Sequence, residues 1–90
     1  MALTSDQYQL SNVTPTKIVE AYHMQQRVVL HNLSKSSNNF VHFGPSTVTT
    51  TNSIHIDPGE TVNLVIQPGD ELHAVSDLAG IKVGVFVSRS

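Results

Sequence analysis

The chain has 90 residues, with five Lys and Arg against seven Asp and Glu, a formal charge of −2, and neither Cys nor Trp. This length makes one domain, which buries only about 60–65% of its unfolded surface and gains stability from partners. Sparse cations with no basic stripe exclude phosphate neutralisation as a binding mode, so no nucleic-acid partner is expected.

Residues 1–12 (M-A-L-T-S-D-Q-Y-Q-L-S-N) have no basic segment followed by a long apolar core, and so do not read as a signal peptide. Their apolar groups are scattered, with Leu3, Tyr8 and Leu10 as the main ones. The segment is expected to be an extended N-terminal arm, with residues 13–90 forming the folded domain. The arm would add as a strand to the sheet edge of a neighbouring molecule, using Leu3, Tyr8 and Leu10 as partner-binding anchors.

Thr16 to Glu20 reads as a strand, with Pro15 just before it where a missing N–H is tolerated. Residues 20–26 link it to a second strand over Arg27–Leu33, and Ser34–Asn39 is a polar loop of turn formers. Asn39–Phe43 is a third strand, ended by Gly44-Pro45, and the β-branched run Thr47–Thr51 suits a short strand or an extended edge. Strands follow at Ser53–Asp57, Glu60–Gln67 and Glu71–Val75.

Two Pro-Gly-acid turns, Pro58-Gly59-Glu60 and Pro68-Gly69-Asp70, bracket the strand in which Val62, Leu64 and Ile66 alternate with Thr61, Asn63 and Val65. Pro sets φ for the first corner and Gly accepts a positive φ at the second, so each turn reverses the chain. The last strand, Ile81–Val87, turns Ile81, Val83, Val85 and Val87 to one face and Lys82, Gly84 and Phe86 to the other.

Short strands at this spacing predict an all-β fold: a small, jelly-roll-like antiparallel sandwich of about eight strands. The expected core is Ile18, Val28, Leu30, Val41, Ile54, Ile56, Val62, Leu64, Ile66, Leu72, Ala74, Val83 and Val85. No apolar run approaches membrane-spanning length, and no membrane partner is expected.

Five histidines (His23, His31, His42, His55 and His73) raise the question of a metal site, since metals do take His from neighbouring strands. Pro68–Asp77 is similar to the second metal motif of cupins. Only His55, Asp57 and Glu60 stand near the place of the first motif, which needs a His-x-His pair. Histidines on strands are otherwise solvent-facing or interface residues. No G-x-S-x-G turn, paired acid–base dyad or phosphate-cradling glycine loop is present. The expectation is no catalytic residue, no metal and no cofactor.

The order of Thr14–Ile18, Arg27–Asn32, Val41–Gly44, Val48–Ser53 and the two Pro-Gly-acid segments resembles a group of small all-β virion proteins of tailed bacteriophages. The likeness covers about residues 13 to 87. His42 and His73 depart from it where an aromatic is common, and Ser53 departs where Gly is common. The resemblance implies a non-enzymatic virion protein made in the host cytoplasm. It would be a capsid decoration (cement) protein or head-fibre base bound to the major capsid protein or other virion proteins, as a homo-oligomer with a trimer favoured over a dimer. A tail or head–tail accessory virion protein and a cupin-like metal-binding protein or enzyme are the alternatives.

Overall fold

The computed structural model describes residues 2–36, 39–51 and 54–89. They form eight strands: β1 (Ala2–Gln9), β2 (Thr16–Val19), β3 (Gln26–Asn32), β4 (Val41–Gly44), β5 (Ile54–Ile56), β6 (Thr61–Ile66), β7 (Leu72–Ser76) and β8 (Lys82–Arg89). Among the described residues there is no helix. One four-stranded sheet has the order β1-β8-β3-β6 and the other β2-β7-β4-β5. Every pairing is antiparallel. Only β4 and β5 are both consecutive and paired; every other connection carries the chain from one sheet to the other, which is jelly-roll wiring. The radius of gyration is 12.2 Å, the value of about 12 Å expected for one compact domain of this length.

The inner faces follow the period of two. Val28 and Leu30 on β3, Val83, Val85 and Val87 on β8, Val41 and Phe43 on β4, and Ile56, Leu72 and Ala74 opposite are all buried. At roughly 25 cal/mol per Å², such contacts are the main favourable contribution to folding. Polar Gln26, Asn32 and Ser76 are also fully buried, and each of these side chains is hydrogen-bonded. Asn32 donates through Nδ2 to the carbonyls of Asn39 (2.8 Å) and Ile56 (3.0 Å), and its Oδ1 accepts from Ser34 N–H. Gln26 donates to Glu20 O and accepts from Arg89 Nε, each at 2.9 Å, tying the 20–26 linker to the last strand.

Several expectations change. The Pro-Gly turns have the predicted geometry: Gly59 and Gly69 take φ of 78° and 86°, with Glu60 N–H bonded to Asp57 O and Asp70 N–H to Gln67 O. They do not make hairpins. β5 and β7 lie in the opposite sheet from β6, so each turn crosses the sandwich. Thr47–Thr51 forms no strand; Val48 N–H closes a turn onto Pro45 O, and the Val48 side chain is buried beside Gly44. Ile54, expected in the core, is 67% exposed at the end of a three-residue edge strand. Ser53, expected to begin that strand, lies outside the described residues. Val62 and Leu64 are only half-buried because β6 is an edge. Leu10, Val19, Val75 and Ile81, absent from the predicted core list, are buried.

The N-terminal segment differs most. Ala2 to Gln9 is not a separate arm but pairs along all of β8, from Ala2 opposite Arg89 to Gln9 opposite Lys82. Alternation in this segment is too weak to read as a strand, yet β8 offers an open ladder of N–H and C=O groups. Backbone hydrogen bonding sets strand addition, so few apolar side chains are needed.

Candidate functional site

The second sheet carries three of the five histidines, His42, His55 and His73. His42 on β4 and His55 on β5 stand opposite each other, with ring centroids 6.1 Å apart. His42 is buried, and its Nε2 lies 2.7 Å from Asp77 Oδ1. The other Asp77 oxygen accepts from Phe40 N–H, while Asp77 N–H donates to Phe40 O. Asp77 therefore clamps the loop after β7 to the start of β4. His55 meets Asp57 at 3.2 Å and packs edge-on against Phe40. Glu60 has its carboxyl raised above the ordinary value, first by a hydrogen bond with Asp57 and then by that group's charge, with His55 opposing.

His73 does not join this cluster. It lies on β7 opposite Lys17 on one side and Gly44 of β4 on the other, two residues along β4 from His42. Its Nδ1 is buried without a hydrogen-bond partner. His31 bonds Thr61 Oγ1 at 2.9 Å on the other sheet, and His23 packs against Tyr22. Among the described residues no three His, Cys, Asp or Glu side chains are placed to hold a metal ion. His55, Asp57 and Glu60 do meet, but His73, which a cupin-like site would add, is not among them.

The three proposed anchors are accounted for differently. Leu10 is 2% exposed in this chain's own core, with its N–H on Ile81 O and its C=O accepting from Gly80 N–H. Tyr8 packs half-buried against the same core, and burial, with Asp6 and Glu20 nearby, raises its hydroxyl pKa. Both are spent within the molecule, which corrects their assignment as free partner anchors. The Leu3 side chain lies outside the described residues; its backbone is opposite Ser88.

Sequence reading did not single out the outer face of the first sheet. Val29 and Phe86 stand opposite each other there, and Val65 stands opposite Arg27. Phe86 is 42% and Val65 49% exposed. With Asn63 and Ser88 they line a shallow groove of about 330 Å³. The signal was present in the pattern: Val65 and Phe86 are the apolar residues in the otherwise polar register of their strands. A flat face of this kind suits contact with another surface rather than enclosure of a small molecule.

No family model matches the sequence, and no curated protein matches it. Among solved structures, a chain from the work "Bacillus endospore appendages form a novel family of disulfide-linked pili" superposes with a TM-score of 0.60 at 12% identity, over 96% of this chain and 80% of that one. At that identity the likeness is one of fold.

Proposed function

We propose that the protein is a non-enzymatic structural protein of a phage virion, a decoration protein that seats on the outer capsid shell and stabilises contacts between capsomers. The observation that carries this reading is the apolar patch on the outer face of the first sheet, where Phe86 and Val65 are exposed, Val29 between their strands is half-buried, and Arg27 stands beside Val65. Two further observations support it. The histidines and carboxylates with chemical potential on the opposite sheet hold loops together instead of converging on a cavity. The fold is shared with a protein described as forming pili, so this sandwich is compatible with building assemblies. With no cysteine, this sequence cannot use the disulfide links named for that protein.

In this reading the major capsid protein is the partner, no cofactor is used, and the protein is made in the host cytoplasm and carried on the particle. A tail or head–tail accessory position would use the same face on a different virion partner. Co-sedimentation with shells lacking the protein tests the reading. The wild-type chain should pellet with shells, and Phe86→Ser should fold normally but bind about tenfold more weakly, the equivalent of about 1.4 kcal/mol. Failure of the wild type to pellet contradicts it.

A further inference from the structure

The four open sheet edges are not equally protected. β2 is short, carries a register shift between Lys17 and Val19, and presents a lysine paired with Glu20 and Glu71. β5 is three residues long, and its central His55 is paired with Asp57 just past its end. β1 is longer, but the Thr4, Ser5, Asp6 and Gln7 side chains are all exposed, so both its faces are polar there. Charge, shortness and irregularity are the usual devices that blunt an edge. β6 has none of them. Its six residues, T-V-N-L-V-I, contain no charge, Pro, Gly or register break.

The free backbone groups of β6 can be assigned. Asn32 N–H bonds Glu60 O, and β3–β6 pairing continues as Leu30 with Val62, Val28 with Leu64 and Gln26 with Ile66. Antiparallel ladders alternate, so Val62, Leu64 and Ile66 bond β3, and the N–H and C=O groups of Thr61, Asn63 and Val65 point out from the edge. Apolar groups flank that row on both faces. Val62 and Leu64 are half-buried on the core side, and Val65 is half-exposed on the outer side.

We infer that β6 pairs with β6 of a second copy about a twofold axis, joining the two first sheets into one continuous eight-stranded sheet. The occupant follows from self-complementarity. An antiparallel pair centred on Leu64 sets Leu64 opposite Leu64 and Val62 opposite Ile66 on the core side, with Asn63 opposite Val65 on the outer side. This register keeps each face matched, uses the free groups of Asn63 and Val65 in both copies, and brings no charge within the strand against its like. A second copy's β1 fits worse, because it would lay Asp6 along apolar Val62 and Leu64. This inference deepens the structural reading above by naming a second copy as one partner. A trimer on a shell lattice would need its threefold contact elsewhere.

The absence of cysteine makes the test direct. In the proposed register Leu64 faces its symmetry mate in a non-hydrogen-bonded pair, where Cα atoms lie about 4.5 Å apart, within disulfide range. Leu64→Cys should form a covalent dimer under mild oxidation, while Gln7→Cys on the β1 edge should not. Sedimentation velocity of the wild type should give a dimer, and Asn63→Pro, which removes only an outward N–H, should give a monomer. Leu64→Lys, which sets two like charges together at the axis, should do the same, with circular dichroism confirming that each variant is folded. A wild-type oligomer that survives both substitutions and does not cross-link through position 64 overturns β6 pairing and leaves self-association by another surface. A wild-type monomer at high concentration that still pellets with shells overturns the pairing and leaves the virion reading intact.

Discussion

Thr4 and Val87 stand directly opposite each other across β1 and β8, on the same inner face, yet Val87 is buried and Thr4 is exposed. Asp6 and Val85, the next inward pair, show the same contrast. The first sheet therefore extends past the cover of the second, and β1 overhangs. Until Tyr8 and Leu10 reach the core, β1 is held by its ladder alone.

The ladder gives β1 little net stability. Each backbone hydrogen bond contributes about 0.5–1.5 kcal/mol, while ordering a residue costs about 1–2 kcal/mol. Deleting residues 2–7 should leave the sandwich folded, at a cost below about 2 kcal/mol in a urea titration. Amide exchange at Thr4 and Asp6 should be faster than at Val28 and Leu30. Protection at Thr4 equal to that of the core would contradict an overhanging strand.

Asn32 is expected to be the most costly polar residue to lose. Its side chain satisfies two carbonyls and one N–H. Asn32→Ala strands groups that each cost about 1–3 kcal/mol when buried unpaired. A loss of about 3 kcal/mol, or roughly 15 °C in Tm for a domain of this size, is the expected outcome of a thermal scan. A loss under 1 kcal/mol would mean that water replaces these bonds.

Glu60 should destabilise the fold mildly at neutral pH. Its folded pKa lies above the ordinary value, so the folded state holds this proton more tightly than the unfolded state. The resulting stability is fully present below the unfolded pKa and is lost as pH rises through the folded one. Glu60→Gln should remove that pH dependence and leave the protein at least as stable at pH 7. Equilibrium unfolding at pH 4 and pH 7 measures it; a clear loss of stability at pH 7 in the variant would show that the carboxylate is favourable.

Metal analysis separates the structural reading from a cupin-like one. Protein purified without chelator should carry no stoichiometric zinc, iron or manganese, and His55→Ala with His73→Ala should leave its metal content unchanged. One tightly bound ion per chain, lost in that double variant, would restore the metal-protein alternative.

Much of the fold was legible because its signals are local. The alternation of Ile81, Val83, Val85 and Val87 fixed a face, and the Pro-Gly pairs fixed two turns. Which strands pair is not local: β6 lies between two tight turns and bonds neither strand that they connect. Exposure at an edge is not local either, so Ile54 and Ile56 look alike in sequence, although one is open to solvent and the other is buried. The proposed binding face was hardest to see. Val29, Val65 and Phe86 come from three strands and become one surface only through the β8-β3-β6 order.

Cryo-electron microscopy of the intact particle tests the central claim most directly. Density for this sandwich is expected on the outer capsid shell, at contacts between capsomers, with the face that carries Val29, Phe86 and Val65 against the major capsid protein. Density confined to the tail, or a particle without the protein, would contradict it.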